Sequence, residues 1–541
     1  EHWGCELGDV GVGPFFWKSV STLRKPSDFL AAMSLTFEQA NLDFAVYWKK
    51  AFARVDDDKA VEILDKVYTD EVRHVRHGVH WFQKLQGPLD VNTHRSALQF
   101  PLSLGRAKGP LFNREGRQKA GLSTEYIQEL EISNASRGRP PKVFAFRPKV
   151  ETEVAGQNPK KMESVIQDDF AGLMMFLAQK EDVVLATRPP IGHLQKLHQA
   201  GFAIPQFLTH KDELKDRVVG QWCPWGWSPK VAQEFHTPWA SAHTKLYDKT
   251  WALELRKSFE QDTPSPALLR ADSACYSEIN DVLEHLTAPG PWVIKRPFST
   301  SGRGRLRLTS APTTQEKNWI KNGLRHGPLI VEPWAQRVVD WSIQVDVGPQ
   351  PKLLGITRFW THSSGNYQGA LIGKWTHGLS RSTLRSIHEL KMPSLLQDAA
   401  LYAAKEAHLL GYSGPMGVDS MVVHTPAGLR LEALLEINPR FTMGRITMAL
   451  AKRCSGVGAW LHLTDTTVKE AGFENIEAMS NRLEAMPFTA DERGIHRGFL
   501  WTSTSPTSQF HSLLCVGANL QEVRDQLHAI ELTWPEDTSP S

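Results

Sequence analysis

The chain has 541 residues, of which 41% are hydrophobic and 22% are charged, and these values are typical of a globular protein too long for one hydrophobic core. The net charge of +3, from 62 basic and 59 acidic residues, does not indicate a nucleic-acid partner. The sequence has no apolar run of about 18 residues, which argues against a membrane span, and its five scattered cysteines without a C-x-x-C pair argue against a disulfide framework and favour the cytoplasm.

Residues 27–87 predict two long helices. The first runs through "SDFLAAMSLTFEQANLDFAVYWKKAF" and the second through "KAVEILDKVYTDEVRHVRHGVHWFQKLQ", with "RVDDDK" as the turn and a Gly-Pro pair as the stop signal. Residues 88–142 are rich in Pro, Gly and Arg, and we expect them to wrap these helices. The segment "ASRGRPPKV" (135–143) is the best candidate for a linker.

Two polar residues interrupt the apolar stripe of the second helix. Val67 and Trp81 belong to this stripe, and Glu71 and His74 complete its spacing, which predicts that both polar residues face the interior. A buried carboxylate is costly unless it is paired or metal-bound. The pattern therefore allows a buried ion pair or a Glu-x-x-His metal site. Glu38 lies on the apolar stripe of the preceding helix, which favours the metal site.

The segments "LTFEQANLDFAVYWKKAF", "DEVRHVRHGVHWFQKL" and "GPLFNREGRQKAG" resemble the second half of the ferritin-like domains of unknown function related to the tRNA-hydroxylase group. The resemblance covers roughly residues 1–132 and implies an all-α bundle, incomplete here, that holds two iron or manganese ions. The ligands it implies are Glu38, Glu71, His74 and His2. His2 would close a second Glu-x-x-His motif, and we expect its Glu and the first one or two helices to precede residue 1.

The pattern changes to alternating strands and helices after the linker. The runs "KVFAF", "DVVLAT" and "FAIPQF" predict an α/β lobe over residues 143–210. Further strands are predicted in "PWVIKRP", "PLIVEPW", "WSIQVDV", "KLLGITRFW", "GVDSMVV" and "LEALLEINPR", which define a second α/β or α+β domain over 211–475. Residues 476–541 are expected to form a small α/β extension, and residues 1–134 the helical domain.

Two consecutive motifs of the second domain are typical of a nucleotide site. In "PWVIKRPFSTSGRGRLRL" a strand delivers Lys295 to a loop of small residues, which lets backbone N–H groups approach phosphate oxygens. The loop could also be an ordinary hairpin turn, and it lacks the spacing of a Walker A loop. In "LIVEPWAQRVVDW" Glu332 and Asp340 are candidates to contact adenine and ribose, although an edge strand with a surface Glu would give the same pattern.

The segment "GVDSMVVHTPAGLRLEALLEINPRF" predicts a β-hairpin with inward-facing carboxylates. Asp419 lies on one strand, and Glu436 and Asn438 lie two apart on the other, so the last two share a face. Three oxygen ligands without Cys or His suit Mg²⁺ that bridges phosphates. Arg440 adds a planar fork for a phosphate or a carboxylate.

These motifs, in this order and after the "DK" of "LYDKTWALEL", resemble the ATP-grasp superfamily over roughly residues 143–475. The resemblance implies ATP and Mg²⁺ as cofactors and a ligase that joins a carboxylate to an amine through an acyl phosphate, with an amino acid or small peptide as substrate. The implied nucleotide-binding residues are Lys249, Lys295, Ser299, Ser301, Gly302, Gly304, Glu332 and Asp340. The implied Mg²⁺ ligands are Asp419, Glu436 and Asn438, and Arg358 and Arg440 are candidates to hold the acyl phosphate or the carboxylate. Lys245 is an alternative to Lys249.

Three functions follow from the two resemblances. The first is a ligase for small-molecule carboxylate and amine substrates, fused to a ferritin-like domain that oxidises or hydroxylates a related molecule. The second is a ligase whose helical part is a metal-free docking module. The third is a di-metal hydroxylase or oxidase with an auxiliary ATP-binding domain.

Overall fold

The fold consists of a helical region followed by three β-sheets with their covering helices. The computed structural model describes residues 4, 6, 9, 11, 13–21, 23–99, 102–133, 139–157, 161–214, 218–298, 304–362, 367–503 and 509–535. None of the helices in these ranges combines the length and apolar character needed to cross a bilayer.

The helical region is dominated by two long helical segments joined by a short turn, as the sequence predicts. Asp57 caps the second of them by accepting a hydrogen bond from the Ala60 N–H at 3.0 Å, and Gly87, with a φ of +84°, ends it. The first segment contains one π-helical stretch. The helices are α1 (Phe15–Val20), α2 (Pro26–Ala32), the π-helix (Met33–Glu38), α3 (Gln39–Ala53), α4 (Asp58–Gln86), α5 (Val91–Ala97), a 3-10 turn (Leu104–Ala107), α6 (Arg114–Lys119) and α7 (Thr124–Ile132).

The buried face of α4 differs from the predicted one. Val75 and Phe82 are fully buried against α3 and its neighbours, whereas Val67, Trp81 and Leu85 are 37%, 41% and 50% exposed. The buried stripe and the predicted stripe lie side by side on the helix, because consecutive residues are about 100° apart around its axis. The prediction that the second of these stripes faces the interior was therefore wrong for Val67 and Trp81, which border solvent in the part of the chain that the structure describes. It is right for Glu71, whose side chain is 13% exposed.

A small parallel sheet follows the helical region. Its elements are β1 (Lys142–Ala145), α8 (Val150–Val154), α9 (Lys161–Phe170), a 3-10 helix (Ala171–Phe176), β2 (Val183–Leu185), α10 (Ile191–Gln199), β3 (Gln206–Leu208), a 3-10 turn (Lys211–Leu214) and β4 (Gln221–Pro224). The strand order is β3-β2-β1-β4 and all pairs are parallel. The strands are almost wholly apolar because both faces of a parallel sheet are covered.

A second sheet of four strands is antiparallel. The elements of this part are α11 (Pro229–Glu234), α12 (His243–Leu246), α13 (Lys249–Asp262), β5 (Ala274–Tyr276), α14 (Ile279–His285), β6 (Trp292–Lys295), β7 (Arg305–Leu308), α15 (Thr314–Leu324) and β8 (Leu329–Pro333). The strand order is β5-β8-β6-β7. Helices α14 and α15 cover one face of this sheet with a core of its own, which leaves the other face free to border a cleft.

The third sheet has nine antiparallel strands. Its elements are β9 (Gln336–Val347), β10 (Lys352–Thr361), β11 (Tyr367–Ile372), α16 (Arg381–Glu389), α17 (Met392–Leu409), β12 (Gly414–Thr425), β13 (Gly428–Asn438), α18 (Met443–Ala451), β14 (Val457–Thr464), α19 (Asp465–Glu470), α20 (Ile476–Glu484), β15 (Thr489–Asp491), β16 (Gly494–Trp501), β17 (Phe510–Gly517) and α21 (Leu520–His528). The strand order is β13-β12-β9-β10-β11-β14-β17-β16-β15. The predicted boundary near residue 475 therefore does not separate two sheets, because β16 and β17 extend the sheet that β9 begins.

Candidate nucleotide and metal sites

A cavity of about 840 Å³ lies between the two antiparallel sheets. Strands β6, β7 and β8 supply one wall, and β9, β10, β12 and β13 supply the other. The volume lies within the range of natural ligand sites. The cavity thus collects polar side chains that are separated by up to about 215 residues in the chain, from Lys249 to Thr464.

The predicted Mg²⁺ ligands lie together on the β12–β13 hairpin. Asp419 pairs in register with Glu436, and the Asn438 side-chain amide donates to Asp419 at 3.0 Å. The register shifts directly after Asp419, a type of irregularity that often re-aims side chains next to functional sites. Burial and then the negative charge of Glu436 raise the pKa of Asp419 to about 7. A divalent cation between these oxygen atoms would remove the repulsion.

Two lysines line the same cavity as these carboxylates. Lys249, the first residue of α13, contacts Glu436, and Lys295, the last residue of β6, contacts Glu332. Lys245 lies 3.7 Å from Glu254 with a side chain that is 55% exposed. Of the two lysines that the sequence left open, Lys249 is the one that lines the cavity.

A buried arginine that the sequence did not single out links the two walls. The Arg256 guanidinium on α13 donates to Glu332 at 2.7 Å and also to Glu432 on β13. Burial alone would lower the pKa of Arg256, but the two carboxylates outweigh burial and raise it above its ordinary value. Lys295 and Arg256 together lower the pKa of Glu332 in spite of its burial. These ion pairs fix Glu332 at the start of the connection between the sheets.

Asp340 enters the cavity from β9, two residues before Ser342 on the same face. Its carboxylate lies 3.2 Å from the Arg337 guanidinium and accepts a hydrogen bond from the Thr361 hydroxyl at 3.4 Å. Burial raises the pKa of Asp340 to about 6. With the segment from Glu332 onward, Asp340 lines the part of the cavity next to the connection between the sheets.

The two candidate arginines occupy different positions. Arg440 lies in the cavity, where its guanidinium donates to the Asn438 side chain at 2.9 Å and pairs with Glu151. Arg358 is buried on the opposite face of β10 and donates to the His377 carbonyl at 2.6 Å. Side chains alternate between the two faces of a strand. Thr357 and Phe359 therefore line the cavity, and Arg358, which lies between them, does not. The expectation that Arg358 holds an acyl phosphate or a carboxylate in this cavity was therefore wrong.

The structure describes only one residue of the predicted small-residue loop. Ser299, Ser301, Gly302 and His2 lie outside the described residues. Gly304 is described, with a φ of +71°, and its carbonyl accepts a hydrogen bond from the Arg296 N–H at 2.9 Å where β7 begins.

The helical region brings three predicted metal ligands together. Glu38, Glu71 and His74 each offer a ligand atom, and these atoms lie within 4.8 Å of one another. Asn41 donates to Glu71 at 2.8 Å, a support that sequence reasoning missed although it lies three residues after Glu38. His74 is 57% exposed, which differs from the predicted burial. The π-helix ends at Glu38 and packs closely on α4 at Gly78, where an added Cβ would overlap Ser34.

Comparisons with known proteins give a family match for the helical region and fold likenesses for the rest. Residues 1–128 match the family described as "Protein of unknown function (DUF455)". No curated protein matches the chain. Among solved structures, the chain is similar to N5-carboxyaminoimidazole synthetase from Staphylococcus aureus complexed with ADP, with 10% identity, a TM-score of 0.42, and coverage of 72% of this chain and 97% of that one.

Two further structures have similar scores. Biotin carboxylase from Campylobacter jejuni has 10% identity and a TM-score of 0.40, with coverage of 72% and 90% of the two chains. Phosphoribosylamine–glycine ligase from Thermotoga maritima has 14% identity and a TM-score of 0.37, with coverage of 72% and 96%. At TM-scores below 0.5 these likenesses carry no weight for function, which has to be inferred from the side chains of the cavity.

Proposed function

We propose that the chain is an ATP- and Mg²⁺-dependent ligase of the ATP-grasp type that joins a carboxylate to an amine through an acyl phosphate. The observation that supports this most directly is one cavity between two antiparallel sheets that holds Lys249, Lys295, Asp419, Glu436 and Asn438. Two ammonium groups in one cavity with a set of three oxygen ligands suit a nucleoside triphosphate with bound Mg²⁺.

The residues of the cavity have distinct tasks in this proposal. Lys249, Lys295 and Arg440 neutralise phosphate oxygens, and Asp419, Glu436 and Asn438 would hold Mg²⁺, which supplies further positive charge when bound. The substrate carboxylate oxygen attacks the γ-phosphorus as the bond to the ADP oxygen breaks. The amine nitrogen then attacks the acyl carbon, the bond to phosphate oxygen breaks, and the amine loses one proton. Lys249 and Lys295 exchange their present carboxylate partners for phosphate.

Substitution of Lys295 tests the ligase proposal. We expect Lys295→Met to lower ATP-dependent ADP release, measured with the full chain, Mg²⁺ and pools of carboxylic acids and amines, by about 100-fold or more, because one preorganised charge at the phosphates is lost. The matched control is Lys321→Met on the exposed side of α15, which covers the same sheet. Equal ADP release by the two variants would contradict the proposal.

The helical region supports a second candidate activity, a metal site of the ferritin-like kind. Besides the three clustered ligands, the Oε2 atom of Glu38 is buried and has no hydrogen-bond partner among the described residues. An unpartnered buried carboxylate oxygen is costly, and a metal ion would satisfy it. Glu38, Glu71 and His74 would hold one iron or manganese ion, and iron would supply oxidation chemistry. A ligase fused to an oxidising domain, or an oxidase or hydroxylase with an auxiliary ATP domain, would both need this site.

Metal titration separates this candidate from a metal-free docking module. We expect the full chain to bind Fe²⁺ under anaerobic conditions, or Mn²⁺, and Glu71→Gln to weaken that binding at least tenfold, measured by equilibrium dialysis with elemental analysis. Glu62→Gln on the exposed face of the same helix is the control. Absence of binding, or equal binding by both variants, would favour the docking module.

A further inference from the structure

The cavity extends beyond the carboxylates and lysines into a part lined by aromatic rings. This aromatic chamber is defined by Phe146, Phe170, Trp225, Tyr367, His462 and Phe510, all of which line the same cavity as the candidate nucleotide site. The chamber draws on the parallel sheet, on the nine-stranded sheet and on α9, so it depends on the relative placement of several elements.

The parallel sheet explains why two of these rings meet at the cavity. Phe146 follows the last residue of β1 and Trp225 follows the last residue of β4, and β1 pairs with β4 in parallel. Their ring centroids are 4.8 Å apart in an edge-to-face arrangement. The carboxyl ends of parallel strands are the edge at which ligands approach open α/β sheets. Two large apolar groups at this edge favour a ligand that is itself apolar there.

His462 provides one of the polar groups of the chamber, beside the hydroxyl group of Tyr367 and the indole N–H group of Trp225. Its ring centroid lies 4.9 Å from that of Tyr367 and 5.0 Å from that of Phe170. Its Nε2 atom is buried without a hydrogen-bond partner in the described part of the chain. Burial lowers the pKa of His462 to about 3, so the imidazole is neutral near pH 7. The Nε2 atom can donate or accept one hydrogen bond with a ligand, but the neutral ring cannot form an ion pair.

The chamber has no acidic side chain among the residues that define it. Of the carboxylates elsewhere in the cavity, Glu332 and Glu436 are engaged by lysine, whereas Asp419 accepts a hydrogen bond from Asn438 and belongs to the proposed Mg²⁺ site. An ammonium group in the chamber would lose its hydration without gaining a carboxylate partner, which is costly. Arg440 pairs with Glu151, and its guanidinium carbon lies 5.9 Å from the Trp225 ring centroid, so that a cation with two further N–H groups borders the chamber. A carboxylate can therefore sit at the phosphate end while an apolar group occupies the chamber.

We propose that the acid activated by this site is an arylalkyl carboxylic acid that lacks an α-ammonium group, with its ring in the aromatic chamber and one hydrogen-bonding substituent at His462. This inference rests on the proposed ligase function and narrows its substrate. This substrate differs from the amino acid or small peptide that the sequence resemblance implies. The α-ammonium group of an amino acid would need a carboxylate partner, and the residues that define the chamber are aromatic.

Three related acids test the inference by direct binding. The probes are 3-(4-hydroxyphenyl)propionate, propionate, which lacks the ring, and L-tyrosine, which adds only the α-ammonium group. Isothermal titration of the full chain with ADP and Mg²⁺ present is expected to show at least tenfold tighter binding of the first acid than of either other. Binding of propionate or tyrosine with equal or higher affinity, or binding of none of the three, would overturn the inference.

Two substitutions locate the bound ring. Phe170→Leu and His462→Phe are each expected to weaken binding of 3-(4-hydroxyphenyl)propionate at least fivefold and to leave ADP affinity unchanged. Phe176→Leu is the matched control, because Phe176 packs on Phe202 away from the cavity. An equal effect of Phe176→Leu would overturn the placement. If the acid binds but ADP does not, the ligase proposal fails while the aromatic chamber remains an acid-binding site, so the two failures are distinguishable.

Discussion

His94 shows how one buried side chain makes the helical region sensitive to pH. The ring lies 2.8 Å from the Tyr126 hydroxyl and 3.1 Å from the Thr36 hydroxyl, and it contacts the Ala31 carbonyl at 3.2 Å. Burial lowers the pKa of His94 from 6.5 to about 4; the hydrogen bond to Ala31 opposes this effect, and the charge of Arg95 adds to it. Near pH 7 the imidazole is therefore neutral in the folded protein.

We expect the free energy of unfolding to fall as the pH drops from 6.5 to 4. Between these pH values the histidine is protonated in the unfolded chain but remains neutral in the folded chain. The contribution of neutral His94 to the free energy of unfolding is therefore complete above pH 6.5 and is lost towards pH 4. The pKa difference corresponds to roughly 3 kcal/mol. Urea unfolding followed by circular dichroism at pH 7 and pH 4.5 measures the loss.

His94→Gln cannot titrate, and we expect it to show a smaller loss between these two pH values than the unmodified chain. His77→Gln, an exposed histidine on α4, is the control and should leave the loss unchanged. An identical loss in His94→Gln would show that other groups cause it.

Which site residues could be predicted from sequence depended on the distance between partners along the chain. Asp419 and Glu436 belong to one hairpin, where period-two alternation and local pairing already place them together. Arg256 and its partner Glu432 are 176 residues apart, and only the folded chain joins them. A signal was present, since Arg256 lies within the buried positions of α13, three residues before Phe259, where an arginine needs a partner. The prediction for Arg358 was wrong for the converse reason. An arginine suits the chemistry, but this one lies on the face of β10 that points away from the cavity.

At the scale of elements, one buried ion pair holds the wrapping segment against the long helices. Asp43 on α3 and Arg117 on α6 have fully buried side chains and form two hydrogen bonds, of 2.6 and 2.8 Å. Asp43 also accepts from the backbone N–H groups of Gly109 and Asn113 at 2.8 and 2.7 Å. The sequence predicts that residues 88–142 wrap the helices, and this pair attaches one part of that segment, α6, to α3.

We expect Asp43→Ala to lower the free energy of unfolding of the helical region by about 3–5 kcal/mol, because it leaves the Arg117 charge buried without its partner. Asp65→Ala removes the exposed pair with Lys49, whose side chains are 55% and 39% exposed, and should cost less than about 1 kcal/mol. Urea unfolding monitored by circular dichroism compares the two. Similar costs for both variants would mean that the buried pair does not hold the segment in place.

The long helices and most strands were predictable because their signals are local. The helices at 26–53 and 58–86 follow from helical periodicity, and the turn and the Gly-Pro pair bound the second of them. The predicted strands of the second domain occur in β6, β8, β9, β10, β12 and β13. The π-helix could not be read from composition, since it depends on how Met33–Glu38 packs on α4. The nine-stranded sheet was also missed, because β11 pairs with β14 about 90 residues later and pairing at such a distance leaves no local pattern.

The whole molecule has separate hydrophobic cores. The core of the helical region contains residues between Ala31 and Leu130, whereas the core under the parallel sheet begins at Ile132 and continues to Val516. Contacts between the two include α7 on α10 and an ion pair of 2.7 Å between Glu129 and Arg188. The cavity, in contrast, lies wholly within the part after residue 145. Separate cores with limited contact favour separate unfolding transitions.

We therefore expect differential scanning calorimetry of the full chain to show two transitions that respond to different changes. ADP with Mg²⁺, at about 100 times its dissociation constant, should stabilise the part that holds the cavity by about 2.7 kcal/mol and raise only that transition. Asp43→Ala should lower only the other transition, because Asp43 lies within the helical core. A single transition moved by both would show that the helical region and the sheets unfold as one unit, and it would mean that the interface through α7 couples them more strongly than their separate cores indicate.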